Sequence, residues 1–259
     1  MNSWRLLPLE VRNGYWNMAL DEAILKSVIE MKSPNTVRFY KWNPSTVTIG
    51  QNQSLSEEVD VKVVNEMNFN IVRRITGGGA VFHDKNCEIT YSIVCPIEFL
   101  EELNAYSVLA QFEIITQCII ASLIDFGLTP EKGVIHCPAI FIEGKKFSGN
   151  AQIRKMGHLL QHGTILLDID PELMYSVLKA PYNVSKSKMV KSVYSKCIGL
   201  KEVLPNCNEK EFLSALKCGF EKILGIKLEK ASFSDYELEI AESLVVEKYT
   251  KIDWLKKFE

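Results

Sequence analysis

Three consecutive glycines, Gly77–Gly79, lie between two short stretches that read as strands, Asn70–Arg73 and Ala80–His83. Glycine loses more backbone freedom on folding than any other residue. A run of three is retained where the backbone must approach something closely, or where its amides form an anion-binding nest. Arg73 and Arg74 stand just upstream, and their planar, multidentate donors suit phosphate or carboxylate. The run fits neither G-x-G-x-x-G nor G-x-x-x-x-G-K-[ST], so neither a Rossmann nor a P-loop fold is expected. Taken alone, the glycines fit a hairpin turn beside two solvated arginines equally well.

Around this turn, strands dominate the middle of the chain and helices its start, middle and end. Asn17–Met31 reads as a helix with Met18, Ile24, Leu25 and Val28 on one face and Asn17 as its N-cap. Thr36–Trp42 and Thr46–Gly50 read as strands joined by the turn Asn43-Pro44-Ser45. A short helix over Val59–Met67 leads into Asn70–Arg73, and a strand over Glu88–Val94 follows the glycines. Ala105–Phe126 is the longest apolar helix, stopped at Gly127. Ala139–Ile142 and Lys145–Phe147 flank Glu143-Gly144, a two-residue hairpin signal. His158–Ile169 contains another strand, and helices are expected over Pro171–Leu178, Glu209–Leu224 and Asp235–Lys248. The Lys- and Ser-rich stretch Asn183–Ser195 reads as a mobile surface loop. This order predicts an α+β fold with a mixed, largely antiparallel sheet backed by helices. Residues 1–259 read as a single domain, with a joint at Leu204-Pro205-Asn206 that would set off 205–259 as a helical C-terminal subdomain.

Composition excludes several classes. Lys+Arg 30 against Asp+Glu 32 leaves a formal charge of −2, so nothing in the global charge points to nucleic acid. No segment approaches ~18 uninterrupted apolar residues, and the amino terminus lacks the order of a signal peptide. No membrane span is expected, and the cytoplasm is the expected location. Seven cysteines, Cys87, Cys95, Cys118, Cys137, Cys197, Cys207 and Cys218, are scattered without a C-x-x-C pair. That pattern suits a reducing compartment and predicts no metal-ligand set.

Two further segments carry candidate chemistry. In Glu143-Gly144-Lys145-Lys146-Phe147-Ser148-Gly149, a lysine on a hairpin strand followed by small residues can project its ammonium into a pocket. There Lys146 could bridge a carboxylate and a phosphate as charge develops; by itself the segment is more simply an exposed hairpin. In Gln161-His162-Gly163, at the head of an apolar strand, His162 could hydrogen-bond a ligand, though a satisfied structural histidine is the commoner case.

Together these segments resemble the lipoate–protein ligase A family within the biotin/lipoate ligase superfamily. The family pattern R-R-x-[ST]-G-G-G-A-V-[FY]-H-D is met in full by Arg73 to Asp84. G-x-K-[IVF]-[SA]-G is met by Gly144 to Gly149, and H-[GH] before an apolar strand by His162-Gly163. Asn17 to Ala23, and Arg38-Phe39-Tyr40 through Gly50, also look like that family, and the similarity covers about residues 1–250. The resemblance implies a fold like the catalytic cores of biotin ligases and class II aminoacyl-tRNA synthetases. It implies an ATP-dependent lipoate–protein ligase that forms lipoyl-AMP, with Mg²⁺ accompanying ATP, and transfers the acyl group to a carrier lysine. The carrier would be a lipoyl domain of the 2-oxoacid dehydrogenase E2 or glycine cleavage H protein type, and the acyl substrate lipoate or octanoate. Carried over residue by residue, Lys146 would be the catalytic lysine. Arg73, Arg74, Gly77, Gly78, Gly79, Ala80, Val81, Phe82, His83, Gly149 and His162 would line the nucleotide and acyl site.

Two departures from the family pattern open an alternative. Where ligases show an Asn-Asp pair before the lysine hairpin, this chain has Pro138-Ala139. Related octanoyltransferases carry a nucleophilic cysteine in that region, so Cys137-Pro138 marks Cys137 as the alternative nucleophile for octanoyl transfer from acyl carrier protein without ATP. The chain also stops at about the catalytic core of longer relatives, which makes a separate small accessory protein an expectation. A non-catalytic acyl or nucleotide binder on the same fold is the third reading.

Overall fold

The computed structural model describes residues 4–133 and 139–259. The strands are β1 (Trp4–Arg12), β2 (Asn35–Trp42), β3 (Thr46–Ile49), β4 (Asn70–Arg73), β5 (Val81–His83), β6 (Glu88–Pro96), β7 (Glu131–Lys132), β8 (Ile140–Ile142), β9 (Lys145–Lys155), β10 (His158–Leu166) and β11 (Leu228–Lys230). Eight of them form one sheet in the order β11-β1-β2-β6-β10-β9-β8-β7. β11, β1 and β2 run parallel, and every other neighbouring pair is antiparallel. A second sheet, β4-β3-β5, carries the glycine run between β4 and β5. The fold is the expected α+β class with a mixed, largely antiparallel sheet.

Each sheet face has its own core. On one, Phe39, Tyr91, Ile93, Phe147 and Ile165 pack with Ile115 and Ile119 of the helix Val108–Asp125 and with Leu216 and Phe220 of the helix Glu209–Leu224. On the other, Tyr40, Val94 and Leu160 meet Met18, Leu20 and Ile24 of the helix Gly14–Ile29 and Ala241 of the helix Asp235–Leu244. The second sheet has a smaller core, in which Val47, Ile49, Ile71 and Phe82 pack with Val64 and Val177. Val108–Asp125 is long and apolar enough by composition to cross a bilayer, but half of it is buried inside the protein against the sheet and Glu209–Leu224.

Several elements differ from expectation for local reasons. The first helix begins at Gly14, because Asn13 caps it by accepting from the Trp16 amide at 3.0 Å. Asn17 is buried inside that helix, and its amide donates to the carbonyls of Arg12 and Lys41. The expected loop Asn183–Ser195 is mostly a helix, Lys186–Lys196, whose N-cap Ser185 accepts from the Lys188 amide. The turn Glu143-Gly144 has φ of 52° and 71°, the left-handed pair that a two-residue hairpin matching strand twist requires. At the carboxyl end β11 extends the main sheet beside β1, and the Trp254 indole donates to the Arg73 carbonyl at 2.9 Å.

Candidate active site

The register of the main sheet sets two rows of side chains on one face. Arg38, Ser92, His162 and Ala151 lie directly across from one another on β2, β6, β10 and β9, and Tyr40, Thr90, Thr164 and Gly149 form the next row. Strand side chains alternate between faces, so both rows look toward the helix Gly14–Ile29 and the glycine run. Between them lies a cavity of about 290 Å³ with apolar walls from Met18, Trp42, Val81, Phe82, Leu166 and Met174. A larger cavity of about 600 Å³ lies between β1, β11 and the helix Glu209–Leu224, and contains neither the glycine run nor Lys146 nor His162.

Asp21 anchors the polar wall. Its fully buried carboxylate accepts from Arg38 Nη1 at 3.1 Å, Ser92 Oγ at 3.0 Å, Tyr40 Oη at 2.9 Å and His162 Nδ1 at 3.0 Å. Burial alone would raise its pKa; the His162 hydrogen bond and the Arg38 charge overcome this and hold it below the ordinary carboxylate value. Burial lowers the His162 pKa, with Asp21 opposing. His162 is therefore neutral at pH 7, with its proton on Nδ1 toward Asp21 and Nε2 left to accept from the Thr76 hydroxyl at 2.8 Å.

Arg74 joins this chain to a second one. Its Nε donates to Thr76 Oγ1 at 3.1 Å, Nη1 to Thr48 Oγ1 at 3.0 Å, and Nη2 to the carbonyls of Gly77 and Gly79 at 2.8 and 2.7 Å. Thr48 Oγ1 meets His83 Nε2 at 3.0 Å, and His83 Nδ1 donates to Glu88 at 2.7 Å. Thr90 donates to the same Glu88 oxygen, accepts from the Trp42 indole, and Trp42 stacks on His83. Burial pushes the Arg74 guanidinium down to about 10, which leaves it charged at neutral pH. Its charge clamps the glycine run from inside. Gly78 sits at φ 93°, and an added Cβ at Gly50 would lie 2.1 Å from the Gly78 carbonyl oxygen. The loop can close over the cavity only because Gly50 has no side chain.

Lys146 reaches the cavity through a bulge. β9 carries an extra residue, Phe147, opposite the Ile140–Phe141 step of β8, and a bulge re-aims the neighbouring side chain. Lys146 lies over Gly149, where an added Cβ would stand 3.0 Å from Nζ. Its ammonium makes no hydrogen bond or ion pair among the described residues. Beside it, Cys197 bridges the Lys146 backbone and lines the same cavity. Burial raises the Cys197 thiol pKa, with Lys146 and Lys196 opposing.

Of the residues singled out in the sequence, Lys146, Arg74, Gly78, Gly79, Ala80, Val81, Phe82, His83, Gly149 and His162 all line this cavity. Gly77 contributes a carbonyl to Arg74 from just outside it. Arg73 points away: its guanidinium is fully buried and donates to the carbonyls of Gly50, Gln51, Gln53, Trp254 and Leu255. It ties the carboxyl-terminal segment to the loop after β3. Cys137, His136 and Pro138 lie outside the described residues. Sequence reasoning passed over Asp21, Thr48, Thr76, Glu88 and Thr90. Two adjacent carboxylates, Asp21 and Glu22, inside the otherwise apolar run Met18 to Ala23 were the available signal.

An apolar cavity under a glycine loop, with one lysine free of polar partners among the described residues, can take the apolar body of a ligand and present a cation to its head. The chain belongs to the lipoyl protein ligase A/B catalytic domain family, whose model matches residues 13–221. It is 34% identical to octanoyltransferase LipM of Brevibacillus brevis over 98% of this chain and 99% of that one. To octanoyltransferase LipM of Bacillus subtilis it is 32% identical over 97% of each. Among solved structures it is similar to a bi-partite lipoate protein ligase from Thermoplasma acidophilum, at 26% identity and TM-score 0.87, covering 100% of this chain and 98% of that one. A lipoate-protein ligase A bound with ATP matches at 26% identity and TM-score 0.85, covering 99% and 100%.

The relatives overturn the expected ATP-dependent lipoate ligase, because those 32–34% identical along nearly the whole chain are octanoyltransferases, whereas the lipoate ligases of similar structure are 26% identical. The site agrees with the correction. Both arginines assigned to nucleotide phosphates spend their donors on protein oxygens, Arg73 on five carbonyls and Arg74 on two threonines and the glycine loop. They do not fit the role of free phosphate ligands.

Proposed function

We propose that this protein is an octanoyltransferase, taking octanoyl from acyl carrier protein and passing it to the lysine of a lipoyl carrier domain through a thioester on Cys137. The observation that carries the reading is the similarity to octanoyltransferases along 98% of the chain. The Cys137 thiolate adds to the thioester carbonyl, and the oxyanion collapses with expulsion of the carrier thiolate, which takes up a proton. The carrier-domain lysine, as the free amine, then attacks the new thioester; its nitrogen gives up one proton to solvent as the amide forms and the cysteine thiolate is returned. An acyl thioester is already activated, so neither step forms a bond to phosphate. Lys146 stabilises the oxyanion in both steps, as a preorganised cation whose donors are uncommitted among the described residues. The walls from Met18, Trp42, Phe82, Leu166 and Met174 hold the chain of the acyl group. Cys197 serves as wall, since its raised pKa keeps the thiol protonated near neutrality.

The test pairs two reactions: octanoylation of a lipoyl domain from octanoyl–acyl carrier protein without ATP, and lipoate-dependent ATP–pyrophosphate exchange. Transfer without exchange is the expected result. Exchange, with no transfer unless ATP is added, would overturn the proposal.

A further inference from the structure

The stretch from Lys179 to Lys201 holds Lys179, Lys186, Lys188, Lys191, Lys196 and Lys201 and no Asp or Glu, in a chain whose net charge is −2. Three of these lysines are used locally. Lys186 pairs with Asp60 at 3.6 Å, Lys201 with Asp168 at 3.1 Å, and Lys179 donates to the Ser56 carbonyl. Lys188, Lys191 and Lys196, all on the helix Lys186–Lys196, are exposed and have no ion-pair partner among the described residues. Exposed tyrosines flank them: Tyr182 is 93% exposed and Tyr194 51%.

This helix is anchored at the cavity. Cys197, which ends it, bridges the backbone of Lys146, and the Ile198 amide donates to the Lys146 carbonyl at 3.0 Å. Cys197 and Lys146 both line the cavity, so a partner seated on the helix stands at the mouth of the site. A local excess of positive charge beside such a mouth attracts an anionic partner and speeds its encounter.

Resting on the octanoyltransferase reading above, we propose that the helix Lys186–Lys196 is the docking surface for the acyl carrier protein that donates the octanoyl group. The donor brings an anion to the site. A donor presents its acyl group on a phosphopantetheine arm whose phosphodiester is an anion, and acyl carrier proteins are acidic. Exposed rim charges also suit a donor that must leave before the acceptor arrives, because they act on association rate and salt dependence more than on residence.

The experiment uses the full chain, K188E/K191E and K188R/K191R. Binding of fluorescently labelled octanoyl–acyl carrier protein is followed by anisotropy at low and high salt. Acyl transfer is followed with that carrier and with octanoyl-pantetheine, a neutral thioester without phosphate. K188E/K191E should weaken carrier binding about tenfold at low salt, the scale of several exposed charge pairs turned from attraction to repulsion. K188R/K191R should bind as the wild type does, wild-type binding should weaken with salt, and octanoyl-pantetheine should be used at the wild-type rate by all three. Unchanged carrier binding in K188E/K191E overturns the surface, as does an equal loss with octanoyl-pantetheine. Loss of binding to the lipoyl domain, or to phosphatidylglycerol vesicles, in place of the carrier overturns the choice of partner. A wild-type protein that binds the carrier through these lysines but transfers no octanoyl sinks the octanoyltransferase reading and leaves the docking surface standing.

Discussion

Replacing Asp21 by asparagine removes one oxygen acceptor and one charge from a point where four donors converge. Arg38, Ser92, Tyr40 and His162 all donate to this carboxylate at 2.9 to 3.1 Å, and both partners of the Asp21–Arg38 pair have fully buried side chains. An asparagine keeps one oxygen acceptor, directs its own N–H groups at the other two donors, and removes the negative charge that Arg38 pairs with. Breaking a buried ion pair by removing one partner costs about 3–5 kcal/mol. At roughly 2–4 °C per kcal/mol for a domain of this size, Tm should fall by about 6–20 °C. Ser92→Ala, which removes one neutral donor from the same oxygen, should cost only about 1 kcal/mol. Thermal unfolding by circular dichroism measures both. A drop for Asp21→Asn no larger than for Ser92→Ala would refute the account of Asp21 as the anchor of the wall. Acid sensitivity follows with a definite sign. The folded Asp21 pKa lies below its ordinary value of about 3.9, so its contribution is complete above that pH and is lost as pH falls through the folded value. The folded His162 pKa is also lowered, so below about 6.5 the unfolded chain takes up that proton first and stability declines. Wild-type Tm should therefore fall from about pH 6.5 toward pH 4 through His162 and fall further below about pH 4 through Asp21; a maximum near pH 4 would contradict the His162 assignment, and no further loss below it the Asp21 assignment.

Other outcomes follow from the same geometry. Lys146→Ala should slow octanoyl transfer by ~10²-fold or more with Tm almost unchanged, as expected for loss of one preorganised electrostatic group; near-normal kcat would remove Lys146 from the mechanism. Gly50→Ala puts a Cβ 2.1 Å from the Gly78 carbonyl, so the loop must shift, with a stability loss of about 1–3 kcal/mol and a raised KM for the acyl donor. Gly50→Ala kinetics indistinguishable from wild type would show that loop closure over the cavity does not matter.

Much of this architecture was legible because local and tertiary signals agreed. The strand Asn70–Arg73 and the helix Glu209–Leu224 fall where their periodicity puts them, and Glu143-Gly144 makes the turn its residues favour. β1 was missed because Pro8 lacks an N–H and argues against a central strand; the structure accommodates it at a register shift between Leu7 and Glu10. The helix Lys186–Lys196 was missed because its apolar positions, Met189, Val190 and Val193, are too few among lysines and serines to outweigh a loop reading. In the site, the glycine run and Lys146 were readable from their pattern. The directions of Arg73 and Arg74 were not. Adjacent strand residues point to opposite faces, so one of the two arginines had to leave the cavity, and only the tertiary fold decides which. The Asp21–His162–Thr76–Arg74 chain joins residues 21, 162, 76 and 74, a set of separations that no local pattern records.

The central claim is that the acyl group passes through a cysteine and not through a nucleotide anhydride. The most direct measurement is intact-protein mass spectrometry after incubation with octanoyl–acyl carrier protein, without ATP and without acceptor, with peptide mapping to locate any adduct. One octanoyl group on Cys137, discharged when lipoyl domain is added and absent in Cys137→Ser along with transfer activity, is the predicted result. Undiminished transfer in Cys137→Ser, or an adduct carried on Cys197 in its place, would contradict it.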